Sequence, residues 1–197
     1  MKDILNISLV GVGGQGALLA SEILCLAALL AGKDVKKSEV HGMAQRGGSV
    51  ISQIRIGNKV YSPLIAVGET DILVAFEKIE SLRYAHLLSP DGVALVNNQE
   101  IIPVTVSSGQ AAWPENLDMQ VLKAFPKLEM VPALDIAREL KNPKIANVVM
   151  LGALATYLTI EDDIFKQAIK QNVPHKVIDL NISAYERGRS ACCSVKL

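Results

Sequence analysis

Aromatic side chains are scarce in this chain: one Trp, four Tyr and three Phe make up 4% of its 197 residues. With so few rings, the interior has to be built from Val, Ile, Leu and Ala. That composition suits strands buried on both faces and Ala/Leu-rich helices, as in a parallel sheet. Cysteine is equally sparse. Cys25 stands alone and Cys192-Cys193 are adjacent, so no spacing matches a zinc site or a four-cysteine iron–sulfur cluster. Neither sign of charge is in excess, with 20 basic residues against 20 acidic ones and an isoelectric point near 6.8. Nothing therefore steers the chain toward nucleic acid or an anionic membrane. Met1-Lys2-Asp3 and the short apolar run behind it lack the basic region, long apolar core and cleavage site of a secretory signal. The apolar stretch at 18–31 is too short to span a bilayer and carries Ser21, Glu22 and Cys25. The expected location is the cytoplasm. Catalytic signals are thin as well: His41, His86 and His175 are scattered, and there is no nucleophile elbow, Walker motif or usefully spaced carboxylate pair.

What remains is half hydrophobic and only 20% charged, a globular composition. The length fits one α/β domain over residues 1–197 with a substantial core. Mean hydropathy is positive, +0.29, which hints at apolar surface covered by another subunit. Residues 4–10 read as a buried strand, 15–30 as a helix stopped at Gly32, and 34–40 as a second strand. The alternating stretch 50–56 and the turn Gly57-Asn58-Lys59 predict a β-hairpin with 60–62. Further strands are predicted at 71–76, 93–96, 101–106 and 130–133, with a turn at Ser89-Pro90-Asp91-Gly92. Helices are predicted at 78–88, 115–125, 135–139, 146–158, 161–171 and 176–187. The fold class is α/β: a single Rossmann-like domain with a mostly parallel sheet and an inserted β-hairpin.

Two segments carry the chemistry. Gly11, Gly13 and Gly16 fit G-x-G-x-x-G between a strand and a helix. The first glycine permits the tight turn, the second lets a pyrophosphate approach the backbone, and the third lets helix and strand pack closely. The helix N-terminus behind them offers free N–H groups to an anion. A nicotinamide site also wants an acidic residue about twenty residues on. Only Glu39 is available there, within the polar stretch Val35-Lys36-Lys37-Ser38-Glu39. The second segment is His41-Gly42-Met43-Ala44-Gln45-Arg46-Gly47-Gly48-Ser49. Its Arg46 is a rigid donor fork for phosphate or carboxylate, and Gly47 and Gly48 can offer backbone N–H groups in a nest. Beside the first turn, this loop would form a polar mouth at the carboxyl ends of the strands. The plain structural reading stays open: a tight β–α crossover, and a loop with one exposed arginine.

Gly-Val-Gly-Gly-Gln-Gly at 11–16, Ser-Glu-Val-His-Gly-Met-Ala-Gln-Arg-Gly-Gly-Ser at 38–49 and Tyr-Ser-Pro-Leu-Ile at 61–65 resemble the gamma-type subunit of the 2-oxoacid:ferredoxin oxidoreductases. His-Gly-Met-Ala before the arginine is similar to the aryl-pyruvate (indolepyruvate) branch. The resemblance implies oxidative decarboxylation of a 2-oxoacid with coenzyme A, giving an acyl-CoA, carbon dioxide and reduced ferredoxin. Thiamine diphosphate and iron–sulfur clusters are then expected on a separate large subunit, with no cofactor bound by this chain alone. No catalytic residue and no metal ligand is expected here, and the chain would be inactive by itself. Its implied partners are the large subunit, ferredoxin through the complex, and another copy of itself when isolated. Coenzyme A as co-substrate would meet Gly11, Gly13, Gly14, Gln15 and Gly16 together with Gln45, Arg46, Gly47 and Gly48. Two other readings remain: a structural or gating subunit with no ligand site, and a free-standing NAD- or FAD-binding Rossmann protein.

Overall fold

The computed structural model describes residues 3–41, 48–102, 104–110 and 112–192. Its centre is a six-stranded sheet built from β1 (Ile4–Val12), β2 (Asp34–His41), β3 (Ser49–Gly57), β4 (Thr70–Ala75), β5 (Leu88–Asn97) and β6 (Leu128–Val131), in the order β2-β3-β1-β4-β5-β6. The pairings β1·β4, β4·β5 and β5·β6 are parallel, while β3 runs antiparallel to both β1 and β2. The sheet is mostly parallel, as the composition implies. All of β4 is buried, as expected of a central strand covered on both faces.

Helices cover both sides of the sheet. Ile7, Leu9, Ile54, Ile72, Val74 and Leu95 pack with α1 (Ala17–Leu30) and α6 (Ala146–Ala155) in the larger core. Val10, Leu73, Ala75, Ala94 and Val96 face α4 (Leu117–Ala124) on the other side, with Ile79 and Leu82 of α2 (Lys78–Arg83) at its margin. The remaining helices are α3 (Val104–Ser107), α5 (Ala133–Glu139), α7 (Asp162–Asn172) and α8 (Ile178–Ala191). Helix α6 is apolar around its whole circumference and buried from Asn147 to Ala155, the pattern of an innermost helix. Helix α8 crosses it backbone to backbone. A Cβ on Gly152 would lie 2.1 Å from the Tyr185 carbonyl oxygen, and one on Gly188 would lie 2.0 Å from that of Val149.

The inserted hairpin is present, but its strands are β2 and β3, joined through residues 42–48. Residues 60–62 form no strand. Both edges of β3 are already taken, by β1 along Ser49–Gly57 and by β2 from Val50 onward, so no edge remains for them. The described residues of the predicted strand 101–106 are not a strand either. The outer edge of β5 is filled by β6, and the chain instead makes the short helix α3; the β-branched content of this stretch misleads a reading by propensity. The turn residues 89–92 sit inside β5 as a bulge, since Thr70 pairs with Leu88 but Ile72 pairs with Val93. Among the described residues no helix is long and apolar enough to cross a membrane.

Candidate functional site

Strand β1 runs into the glycine turn at the carboxyl end of the parallel strands. Gly11 is required by close approach: a Cβ there would lie 3.0 Å from Phe76 Cβ and 2.8 Å from Gln15 Oε1. Gly14 (φ +103°) and Gly16 (φ +81°) take left-handed backbone conformations that a side chain disfavours. At Gly16 space is also denied, because a Cβ would lie 2.6 Å from Asn147 Nδ2. Among the described residues nothing lies within 4 Å of the corresponding position of Gly14. Gly16 then caps α1 with no side-chain hydrogen bond, so the cap residue itself offers no acceptor to the first-turn N–H groups.

The turn is braced from within. Gln15 folds back so that its Oε1 accepts from Val12 N at 2.7 Å, while its Nε2 donates to the Phe76 carbonyl at 2.9 Å. Asn97 Nδ2 donates to the same carbonyl at 3.0 Å and to Gln99 Oε1 at 3.1 Å, and Asn97 Oδ1 accepts from Leu134 N at 3.3 Å. Asn147, at the start of α6, donates to the Gly16 carbonyl at 3.1 Å. Side-chain amides thus tie the ends of β1, β4 and β5 to α5 and α6.

The two glycine segments touch. Gly13 N donates to the Gly48 carbonyl at 2.8 Å. One residue on, the Ser49 hydroxyl donates to buried Glu80 and lies 3.0 Å from the Tyr84 hydroxyl. Arg83 Nε donates to the other oxygen of Glu80 at 2.8 Å, so that carboxylate is fully engaged. Glu77, buried ahead of α2, caps the helix by accepting from Ile79 N at 3.0 Å and from Glu80 N. Burial pushes its carboxyl above the ordinary glutamate range, against the pull of those N–H donors. Beside it, burial lowers the Lys78 ammonium, but hydrogen bonds with Asp118 (2.5 Å) and Glu100 (2.9 Å) more than offset that and hold it above its usual value.

Of the residues singled out in the sequence, Gly11, Gly13, Gly14, Gln15, Gly16 and Gly48 are brought together at this end of the sheet. Gln45, Arg46 and Gly47 lie outside the described residues. Glu39 is elsewhere. It sits in β2, which is separated from β1 by the antiparallel β3, and pairs with Lys37 at 2.9 Å while accepting from Ser21 at 3.0 Å. Burial pushes the Cys25 thiol up to about 11, the behaviour of an inert core cysteine. Among the described residues no group of three or more His, Cys, Asp or Glu side chains could hold a metal ion. A separate cavity of about 840 Å³ opens at the opposite end of the sheet, lined in part by Leu5, Ile56, Glu69, Asp91 and Ile160, and none of the described candidate residues lines it. The bracing residues Asn97, Gln99 and Glu80 are not signalled by any motif, whereas Ser49 ends the second glycine segment. Asn147 attracts notice in the sequence only by position, as the one amide within the apolar run 146–155.

The model of the pyruvate ferredoxin/flavodoxin oxidoreductase family matches residues 6–191. The chain belongs to that family. Within this oxidoreductase family it is similar to the indolepyruvate oxidoreductase subunit IorB of Archaeoglobus fulgidus, with 40% identity over 194 residues that cover 96% of each chain. It is also similar to the ketoisovalerate oxidoreductase subunit VorA of Methanothermobacter thermautotrophicus, at 32% identity over 188 residues; these cover 93% of this chain but only 35% of VorA. Among solved structures, the pyruvate oxidoreductase subunit PORC of Thermotoga maritima superposes with a TM-score of 0.73 at 31% identity, covering 96% of this chain and 97% of that one. This family member is therefore a small, gamma-type subunit of a 2-oxoacid:ferredoxin oxidoreductase, with the fold of such subunits.

Proposed function

We propose that this chain is the small subunit of an aryl-pyruvate, foremost indolepyruvate, ferredoxin oxidoreductase. The enzyme decarboxylates the 2-oxoacid, passes the acyl group to the thiol of coenzyme A and delivers two electrons to ferredoxin. The observation that supports this most is identity with IorB along nearly the full length of both chains. In this reading thiamine diphosphate and iron–sulfur clusters would belong to the larger subunit, where they would supply the decarboxylation and electron-transfer chemistry. The chain is then inactive alone and works in the cytoplasm.

On this chain the contribution is to coenzyme A. A phosphate-rich ligand suits the uncapped start of α1, open Gly14 and left-handed Gly16, with Arg46 as the charge clamp. Gly13 and Gln15 have a different part, because their donors already hold Gly48 and Phe76. They hold the two segments together where Gly13 meets Gly48, and Gln45, Arg46 and Gly47 enter as ligand contacts on their chemistry alone. That same engagement favours one competing reading, a gating subunit whose glycine segments bind nothing small. Dinucleotide binding is disfavoured by the antiparallel β3 between β1 and the strand that carries Glu39.

Kinetics of Arg46→Ala in the assembled enzyme separate these readings. The coenzyme A reading expects KM for coenzyme A to rise about tenfold or more, as for loss of one charge-assisted contact, with assembly intact. An unchanged KM with impaired assembly would establish the gating role instead.

A further inference from the structure

Residues 58–69 cross from β3 to β4 without regular structure, and the sheet holds them by their backbone. Arg55 Nη1 donates to the carbonyls of Ser62 (3.2 Å) and Leu64 (3.4 Å), and its Nε is fixed by Asn6 Oδ1 at 3.0 Å. Gln53 bonds both the N–H and the carbonyl of Ile65, each at 3.4 Å. Asn6 donates to the Glu69 carbonyl at 3.0 Å, and Asp34 accepts from Val60 N at 2.8 Å. The segment therefore turns hydrogen-bonding groups toward the sheet, with Val60 and Ile65 tucked beneath. Its other apolar side chains point outward: Tyr61 is 86% exposed, Leu64 64% and Val67 70%. Three large apolar side chains within seven residues, on a backbone immobilised from below, reverse the ordinary arrangement in which such groups turn inward. The ordering entropy of this display is already spent before any partner arrives.

We infer that the outer face of residues 58–69 is the docking surface for the larger subunit, with Tyr61 and Leu64 as its anchors. The inference rests on the subunit role proposed above, and two observations select that occupant. In VorA the matched region makes up only 35% of the chain, so the same unit exists covalently joined to a longer polypeptide. Lysines border the patch: Lys59 lies 6.0 Å from the Tyr61 ring centroid and Lys33 bonds Asn58 at 3.1 Å, while Lys36 is neutralised by Asp34. An apolar tip with a basic rim fits an apolar socket with an acidic border on the partner. Rigid aromatic and aliphatic anchors of this kind dominate interface energetics when they are buried at its centre.

The test uses the full chain and the larger subunit, with association followed by sedimentation or surface binding. Tyr61→Ala combined with Leu64→Ala is expected to weaken assembly at least 100-fold while leaving the melting temperature of the isolated chain unchanged, since both side chains are exposed. Met119→Ala with Leu122→Ala, on the exposed side of α4, serves as the control and is expected to leave assembly intact. Unaltered assembly of the Tyr61/Leu64 variant overturns the inference, as does a variant that loses only self-association, which would make a second copy the occupant. If the unaltered chain and the larger subunit fail to assemble at all, the proposed function itself falls, a result distinct from failure of the patch.

Discussion

Both ends of the Gln15 amide are committed to the main chain, one to Val12 N and the other to the Phe76 carbonyl. Replacing it by Ala leaves the partly buried Val12 N–H to find a new partner, while the Phe76 carbonyl keeps its bond from Asn97, at a cost of about 1–3 kcal/mol. Gln15→Glu keeps the acceptor for Val12 N but sets a carboxylate oxygen against the Phe76 carbonyl, so it is expected to destabilise to a similar degree. Chemical denaturation of both variants checks this, and a Glu variant as stable as wild type would show that the donor half of the amide is dispensable. Asn147→Ala acts one layer further out, removing the donor to Gly16 O; a loss of about 1 kcal/mol is expected. At this scale the sequence was partly legible. The glycine spacing announced a turn because backbone conformation restricts residue type directly. Which amides would brace it was not legible, since Asn97, Gln99 and Asn147 come from strands and helices far apart in the chain and carry no local pattern.

Elements were legible where a single period or a continuous apolar run ruled them. Strands β1 and β4 and helices α1, α6 and α7 lie where the sequence predicts them, within a few residues. The hairpin was mispaired for a reason of tertiary origin: Gly57-Asn58-Lys59 has turn chemistry, but turn chemistry does not report whether the strand edge beside it is free. The crossing of α6 and α8 was hidden altogether, because Gly152 looks like a helix-weakening residue until its neighbour is known. There its lack of a side chain is what admits Tyr185 O. Gly152→Ala and Gly188→Ala are each expected to push the helices apart and cost about 3 kcal/mol or more, at the upper end of overpacking effects. By contrast Gly32→Ala, at the end of α1, meets no neighbour and bears only the strain of φ +73°, about 1 kcal/mol. Thermal melts that ranked Gly32→Ala as the worst of the three would contradict the backbone contact.

Across the whole molecule, two carboxyls shifted in opposite directions give the stability a definite pH dependence. Asp34 is lowered by its hydrogen bond with Lys36 and by the N–H of Val60, the contact that ties edge strand β2 to the segment 58–69. Its folded form binds the proton less tightly than the unfolded chain does. The stability it contributes is therefore complete above the ordinary aspartate pKa of about 3.9 and is lost as pH falls through the lower folded value. Glu77 is raised by burial, so the opposite sign holds. Its folded form binds the proton more tightly, and stability declines as pH rises from the ordinary glutamate value of about 4.3 through the raised one. Glu77→Gln, which keeps one of the two acceptors at the start of α2, is expected to remove that decline and so to gain relative to wild type progressively across this window, whatever constant offset the lost acceptor imposes. Asp34→Asn is expected to flatten only the acid limb below it. Denaturation midpoints over a pH series test both at once: curves for Glu77→Gln and wild type that stay parallel through the window would mean the Glu77 carboxyl finds enough solvent or N–H donation to titrate as it does in the unfolded chain.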